Sequence, residues 1–111
     1  MKLACEEHEH LVVVNLRGEL VRDEIQQFQN DTKGRLEKGA RDFVIDLSQT
    51  EFIDSDGLEA LLNLQARCAE KLGQVRLAAC HDNVQQILTV TRLNRRFDQH
   101  ATVDDAIKSL R

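Results

Sequence analysis

The hydrophobic period changes repeatedly along this chain, and that alternation restricts the fold more than any other feature. Leu11-Val12-Val13-Val14-Asn15-Leu16 is a β-branched run ending at Gly18. Such side chains are stiff at χ1 and pack well on a pleated surface, so the run predicts a strand. Leu3 to Cys5 is a weaker strand before it, and the polar Glu7-His8-Glu9-His10 between them predicts a hairpin. Val21, Ile25, Phe28, Thr32 and Leu36 then recur at helical spacing, with Asp23 and Glu24 in the first turn, where the helix dipole favours acids, and Gly39 after the last. Phe43-Val44-Ile45-Asp46-Leu47 is nearly continuous and apolar, as in a strand covered on both faces. Leu58, Leu61, Leu62, Ala69 and Leu72 line a second helix closed by Gly73. Val75 to Cys80 is the next buried strand, and Val84, Ile87, Leu88 and Val90 form a shorter helix. Phe97 to Thr102 holds an edge strand, and Val103, Ala106, Ile107 and Leu110 fit a last helix opened by Asp104 and Asp105.

The order is therefore β-β-α-β-α-β-α-β-α. Strands separated by helices need crossovers, so the expected fold class is a small α/β sandwich on a mostly parallel, mixed sheet with about four helices. The strand order in that sheet does not follow from the alternation. With 111 residues and no linker, repeat or low-complexity tract, one domain spanning 1–111 is expected.

Composition narrows the function classes. A formal net charge of −4 argues against a nucleic-acid scanner, which would carry a basic stripe. Four Phe with no Trp or Tyr are too few for a base-stacking platform or an aromatic cage. No apolar run approaches the ~18 residues of a membrane span, so no membrane insertion is expected. No signal peptide is read after Met1-Lys2-Leu3, and three cysteines make an odd set, so a cytoplasmic location is expected.

The most informative stretch runs from Asp46 to Leu58. A buried strand ends, a polar loop crosses its carboxyl edge, and a helix begins at Asp54-Ser55-Asp56. Any of these three can cap, because a short side-chain oxygen accepts from an orphan amide. Asp56 with Glu59 also has capping-box spacing. Gly57 permits a close backbone approach. Ligands of open α/β sheets gather at the carboxyl ends of strands, and helix N-termini attract anions.

Val44-Ile45-Asp46-Leu47 followed by Phe52-Ile53-Asp54-Ser55-Asp56-Gly57-Leu58 resembles the signature of STAS domains, and in particular of bacterial anti-sigma factor antagonists. Gly18-Glu19-Leu20 resembles the start of the G-E-L-D motif of the same family. The resemblance covers essentially the whole chain. It implies a protein that binds a partner and has no catalysis of its own, with no cofactor. The partner it implies is an anti-sigma factor with serine kinase activity, together with a serine phosphatase that reverses the modification. In such proteins the serine just before the glycine is the phosphorylation site, and that position is Asp56 here. The aspartate of G-E-L-D is replaced by Val21.

An aspartate has no hydroxyl to phosphorylate. Phosphoserine carries about −1.5 to −2 charges and three acceptor oxygens. Asp56 has one charge on a shorter arm, so it is a partial mimic: a fixed form of the switch, whether native or introduced. Ser55 is the remaining hydroxyl, and a phosphate there would be repelled by Asp54 and Asp56. The expected partner surface is the loop 50–58, with Asp54, Ser55, Asp56, Gly57 and Leu58, and the helix face bearing Glu59 and Asn63. Glu19 and Val21 form a secondary loop. Two further readings follow from the resemblance: an accessory STAS subunit of a transporter or signalling complex, and a nucleotide or small-ligand sensor.

Other groups read as structural. Cys5, His8 and His10 have ligand-like spacing, but no fourth ligand is in local reach, and no metal is expected. Cys80-His81 lacks a base partner identifiable by spacing, and Cys68 is small core filler. Arg92, Arg95 and Arg96 fit a solvated helix end, or a contact with an acidic partner.

Overall fold

The computed structural model describes residues 1–110. Strands β1 (Lys2–His8) and β2 (Leu11–Leu20) form the antiparallel hairpin. A 3-10 turn at Arg22–Glu24 leads into α1 (Ile25–Glu37). Then come β3 (Asp42–Asp46), β4 (Thr50–Ile53), α2 (Ser55–Glu70), β5 (Val75–Ala78), α3 (Asp82–Val90), a 3-10 turn at Leu93–Arg95, β6 (Asp98–His100) and α4 (Val103–Ser109). The sheet order is β1-β2-β3-β5-β6, with β4 pairing the far end of β2, and every pairing except β1–β2 is parallel.

The strand alternation sorts side chains to two faces. Val12, Val14 and Leu16 of β2, Phe43 and Ile45 of β3, and Val75 and Leu77 of β5 join the main core, with Phe28 and Leu36 of α1, Leu61 and Leu64 of α2 and Val84 and Leu88 of α3. Leu11, Val13, Val44 and Ala78 face the other way, where Ala106 of α4 covers them. Three helices thus lie on one face and the short α4 on the other. Cys68 is fully buried in the main core, as its place on the apolar face of α2 suggests.

Several details differ from the sequence expectation. β1 continues through His8, leaving Glu9-His10 as a two-residue turn. β2 does not stop at Gly18. It passes through a bulge there, Gly18 taking φ +101, and continues to Leu20. Val21 precedes the helix in extended conformation, and α1 begins only at Ile25. β5 ends at Ala78, so Cys80-His81 lies past the strand. The segment Thr50–Ile53, read as loop, is the strand β4. Its anchor is Thr50, fully buried, whose hydroxyl donates to the Leu16 carbonyl at 2.7 Å, while Gly18 N donates to Gln49 O at 3.0 Å.

Candidate functional site

β4 delivers the chain to the start of α2, and one side chain decides where that helix begins. Asp54 is extended at φ −89 and ψ −176, as an N-cap must be, and its Oδ1 accepts from Gly57 N at 2.8 Å. Its other oxygen, Oδ2, accepts from the backbone N–H of Arg22 at 2.9 Å. A single carboxylate therefore fastens both the first turn of α2 and the 3-10 turn after β2. The Asp54 N–H in turn donates to Leu20 O at 3.2 Å. Burial works to raise the Asp54 carboxyl, but the amides of Gly57, Arg22 and Asp56 and the Arg22 charge outweigh it and hold it below the usual carboxylate range.

Gly57 is fixed by the same contact. A Cβ at that position would collide with the Leu20 carbonyl oxygen and crowd Ile53 Cγ2, so the first turn of α2 rests directly on the end of β2. Leu58 turns inward and is largely buried, leaving only an edge at the surface.

Asp56 takes no part in capping; neither the capping-box role nor a cap at Ser55 is used. Its side chain retains 38% exposure, and its Oδ2 accepts from Arg22 Nε at 3.0 Å. Ser55, Glu59 and Asn63 are exposed, as is Glu19, which stands opposite Phe52 in the β2–β4 register. Val21 is half-buried. Asp56, Glu59 and Asn63 meet Arg22 and Gln26 along a polar groove of about 350 Å³ between α1 and α2.

On the other side of the α2 N-terminus lies a second, more apolar groove of about 590 Å³, lined by Phe52, Ser55, Leu58, Ile87 and Val90 among others. Phe52 is 44% exposed and Val90 75%. Sequence reading grouped Ile87 and Val90 with the apolar residues of the third helix, included Phe52 only as part of the loop 50–58, and passed over Arg22. The available signal was an excess of apolar residues: a helix of nine residues has room to bury Val84 and Leu88, not all four. Arg22 gave no signal of its own, because its two contacts to Asp54 and Asp56 cross 32 and 34 residues.

The remaining candidates are dispersed. Cys5 faces α1, where burial pushes its thiol up despite Arg35. His8 Nε2 lies 3.1 Å from Glu6 Oε1, and His10 Nδ1 donates to Gly39 O at 3.2 Å. No group of three or more His, Cys, Asp or Glu side chains among the described residues is placed to hold a metal ion. Burial pushes Cys80 up to about 11 and Cys68 up to about 12, the reverse of what a nucleophilic thiol requires. Arg92, Arg95 and Arg96 are exposed, and the Arg96 carbonyl accepts from Gln65 Nε2 at 2.6 Å. No helix among the described residues is long and apolar enough to cross a membrane.

This hairpin-led α/β sandwich, with a helix opening at an Asp-Ser-Asp-Gly turn, has the architecture of STAS domains. The STAS domain family matches residues 2–106, and the chain belongs to that family. A Bordetella bronchiseptica protein assigned as the anti-sigma factor antagonist BtrV is 22% identical over 91 residues, covering 82% of this chain and 78% of that protein. Among solved structures, a Thermotoga maritima protein assigned as an anti-sigma factor antagonist superposes with a TM-score of 0.90 at 22% identity, covering 97% of this chain and 93% of the other. The anti-sigma factor antagonist SpoIIAA, in its unphosphorylated form, superposes at 0.85 with 21% identity, covering 97% and 95%. The fold is thus that of the anti-sigma factor antagonists.

Proposed function

We propose that this protein is an anti-sigma factor antagonist-like regulator that binds an anti-sigma factor with serine kinase activity, and that Asp56 occupies the position a phosphorylatable serine takes in its relatives. The observation that carries this reading is the partly exposed Asp56 carboxylate in the first turn of α2, on the wall of the polar groove and free of any capping duty, with the apolar groove beside Ser55 at the same helix end. Asp54, Ser55, Glu59, Asn63 and Glu19 form the polar part of the surface, and Phe52, Ile87 and Val90 the apolar part. Association is through surface complementarity, with the apolar groove excluding water and the charges setting specificity.

With Asp56 in place of serine, the partner's kinase has no hydroxyl to modify at that position, and the charge there is fixed. The test is to titrate the anti-sigma kinase of the same organism with the wild type and with Asp56→Ser, with and without ATP. Asp56→Ser is expected to accept phosphate and to change affinity at least about tenfold, the scale of one repositioned interfacial charge. Equal binding by both forms, with no phosphate on the serine variant, overturns the proposal.

A further inference from the structure

The two ends of the sheet are treated differently. β6 is three residues long and bears Asp98, which keeps that edge short and charged. β1 is seven residues long, holds continuous register with β2, and contains neither bulge nor proline, while its outer edge pairs with no strand among the described residues. β1 also carries charge, in Lys2, Glu6 and Glu7, but of both signs, and its unpaired backbone groups are a template for further pairing by a strand whose charges complement them.

Which backbone groups face outward follows from the turn. Glu9-His10 is a two-residue connection between His8 and Leu11, with φ 61 at Glu9, so His8 and Leu11 close it as a hydrogen-bonded pair. Bonded and non-bonded pairs then alternate. Lys2, Ala4, Glu6 and His8 bond to β2, and the N–H and C=O groups of Leu3, Cys5 and Glu7 point to the open edge. Side chains alternate with the same parity. Lys2, Ala4 and Glu6 are exposed on one face, and Leu3 and Cys5 are half-buried against the main core on the other.

We propose that β1 pairs antiparallel with β1 of a second copy of this chain, about a two-fold axis through Ala4. In that register Leu3 and Cys5 of one copy exchange hydrogen bonds with Cys5 and Leu3 of the other, using the outward backbone groups. On the exposed face, Lys2 stands opposite Glu6 of the second copy, twice by symmetry. Directly opposite residues of opposite charge stabilise an antiparallel pair, and like charges destabilise it. Lys2 already stands opposite Arg17 within its own hairpin, an unfavourable cation pair that an incoming Glu6 would relieve. Shifting the register by two residues sets Lys2 against His8 and Leu3 against Glu7, and loses the complementarity. The resulting assembly is a continuous sheet through two copies. It uses none of the residues around Asp56, so it stands apart from the reading above.

Sedimentation equilibrium of the whole chain tests it. The expected result is a mass rising from 12.7 kDa toward twice that value at concentrations on the order of 100 μM and above, the range of a small interface. Lys2→Glu and Glu6→Lys are each expected to weaken association about tenfold or more, and the double reversal to restore it. As a second readout, Ala4→Cys in a Cys5→Ala background should form a disulfide-linked dimer on mild oxidation, because opposite residues of a non-bonded pair lie about 4.5 Å apart at Cα. A wild type that stays monomeric throughout, or a dimer indifferent to both charge reversals, overturns the proposal. So does a double reversal that leaves folded protein monomeric.

Discussion

At Asp54 two acceptor oxygens serve two backbone donors on segments far apart in sequence, Arg22 and Gly57. Removing a cap of this kind costs about 0.5–2 kcal/mol, and Asp54→Ala is expected near the upper end because both amides lose their partner. Urea unfolding measures it. The pH dependence has a definite sign. A carboxyl held below its unfolded value, near 3.8, contributes stability that is complete above that value and is lost as pH falls through the folded one. The advantage of the wild type over Asp54→Asn should therefore be steady from pH 7 to about 5 and shrink toward pH 3. Three adjacent short side chains all satisfied the cap pattern, and sequence alone left the choice among them open. The deciding partner is the Arg22 amide, which no local pattern announces.

The elements themselves were legible wherever a run of side chains repeated with one period. β2, β3 and α2 are the plainest cases, with β-branched or continuous apolar strands and a leucine-lined helix. β4 was not, because its four residues carry only two buried side chains, at its ends, and its partner is the bulged extension of β2 beyond Gly18. The end of α2 is also instructive. Gly73 reads as a helix stop, yet the left-handed residue is Leu72, at φ 63 and 91% exposed, while Gly73 is required because a Cβ there would strike the Arg41 carbonyl. Glycine is the favoured residue at that left-handed position, so Leu72→Gly is expected to raise stability by about 1 kcal/mol, read from the urea midpoint. Gly57→Ala should act oppositely. Its methyl meets backbone at Leu20, and a loss of about 1–3 kcal/mol is expected in the same assay.

Over the whole molecule, the alternation of strands and helices predicted the layered architecture, whereas the strand order depends on long-range pairing and became visible only in three dimensions. The apolar groove was hidden for a related reason. Periodicity reports which residues share a helix face, not whether another layer covers it, and the described residues leave Val90 and Phe52 largely open. Exchanging both for serine should leave unfolding free energy within about 0.5 kcal/mol, as for other surface sites. The same double variant should weaken binding of the anti-sigma kinase proposed above as partner at least about tenfold, measured by calorimetry, because exposed apolar side chains of this kind gain their energy only when a partner covers them.

The division of labour between neighbouring acids has an evolutionary corollary. Since the Asp54 carboxylate ties the first turn of α2 to the turn after β2 and the Asp56 side chain contributes an ion pair with the exposed Arg22, worth at most about 1 kcal/mol, position 56 is open to replacement without endangering the scaffold. One codon there therefore exchanges a fixed charge for a hydroxyl while every other part of the architecture stays as it was.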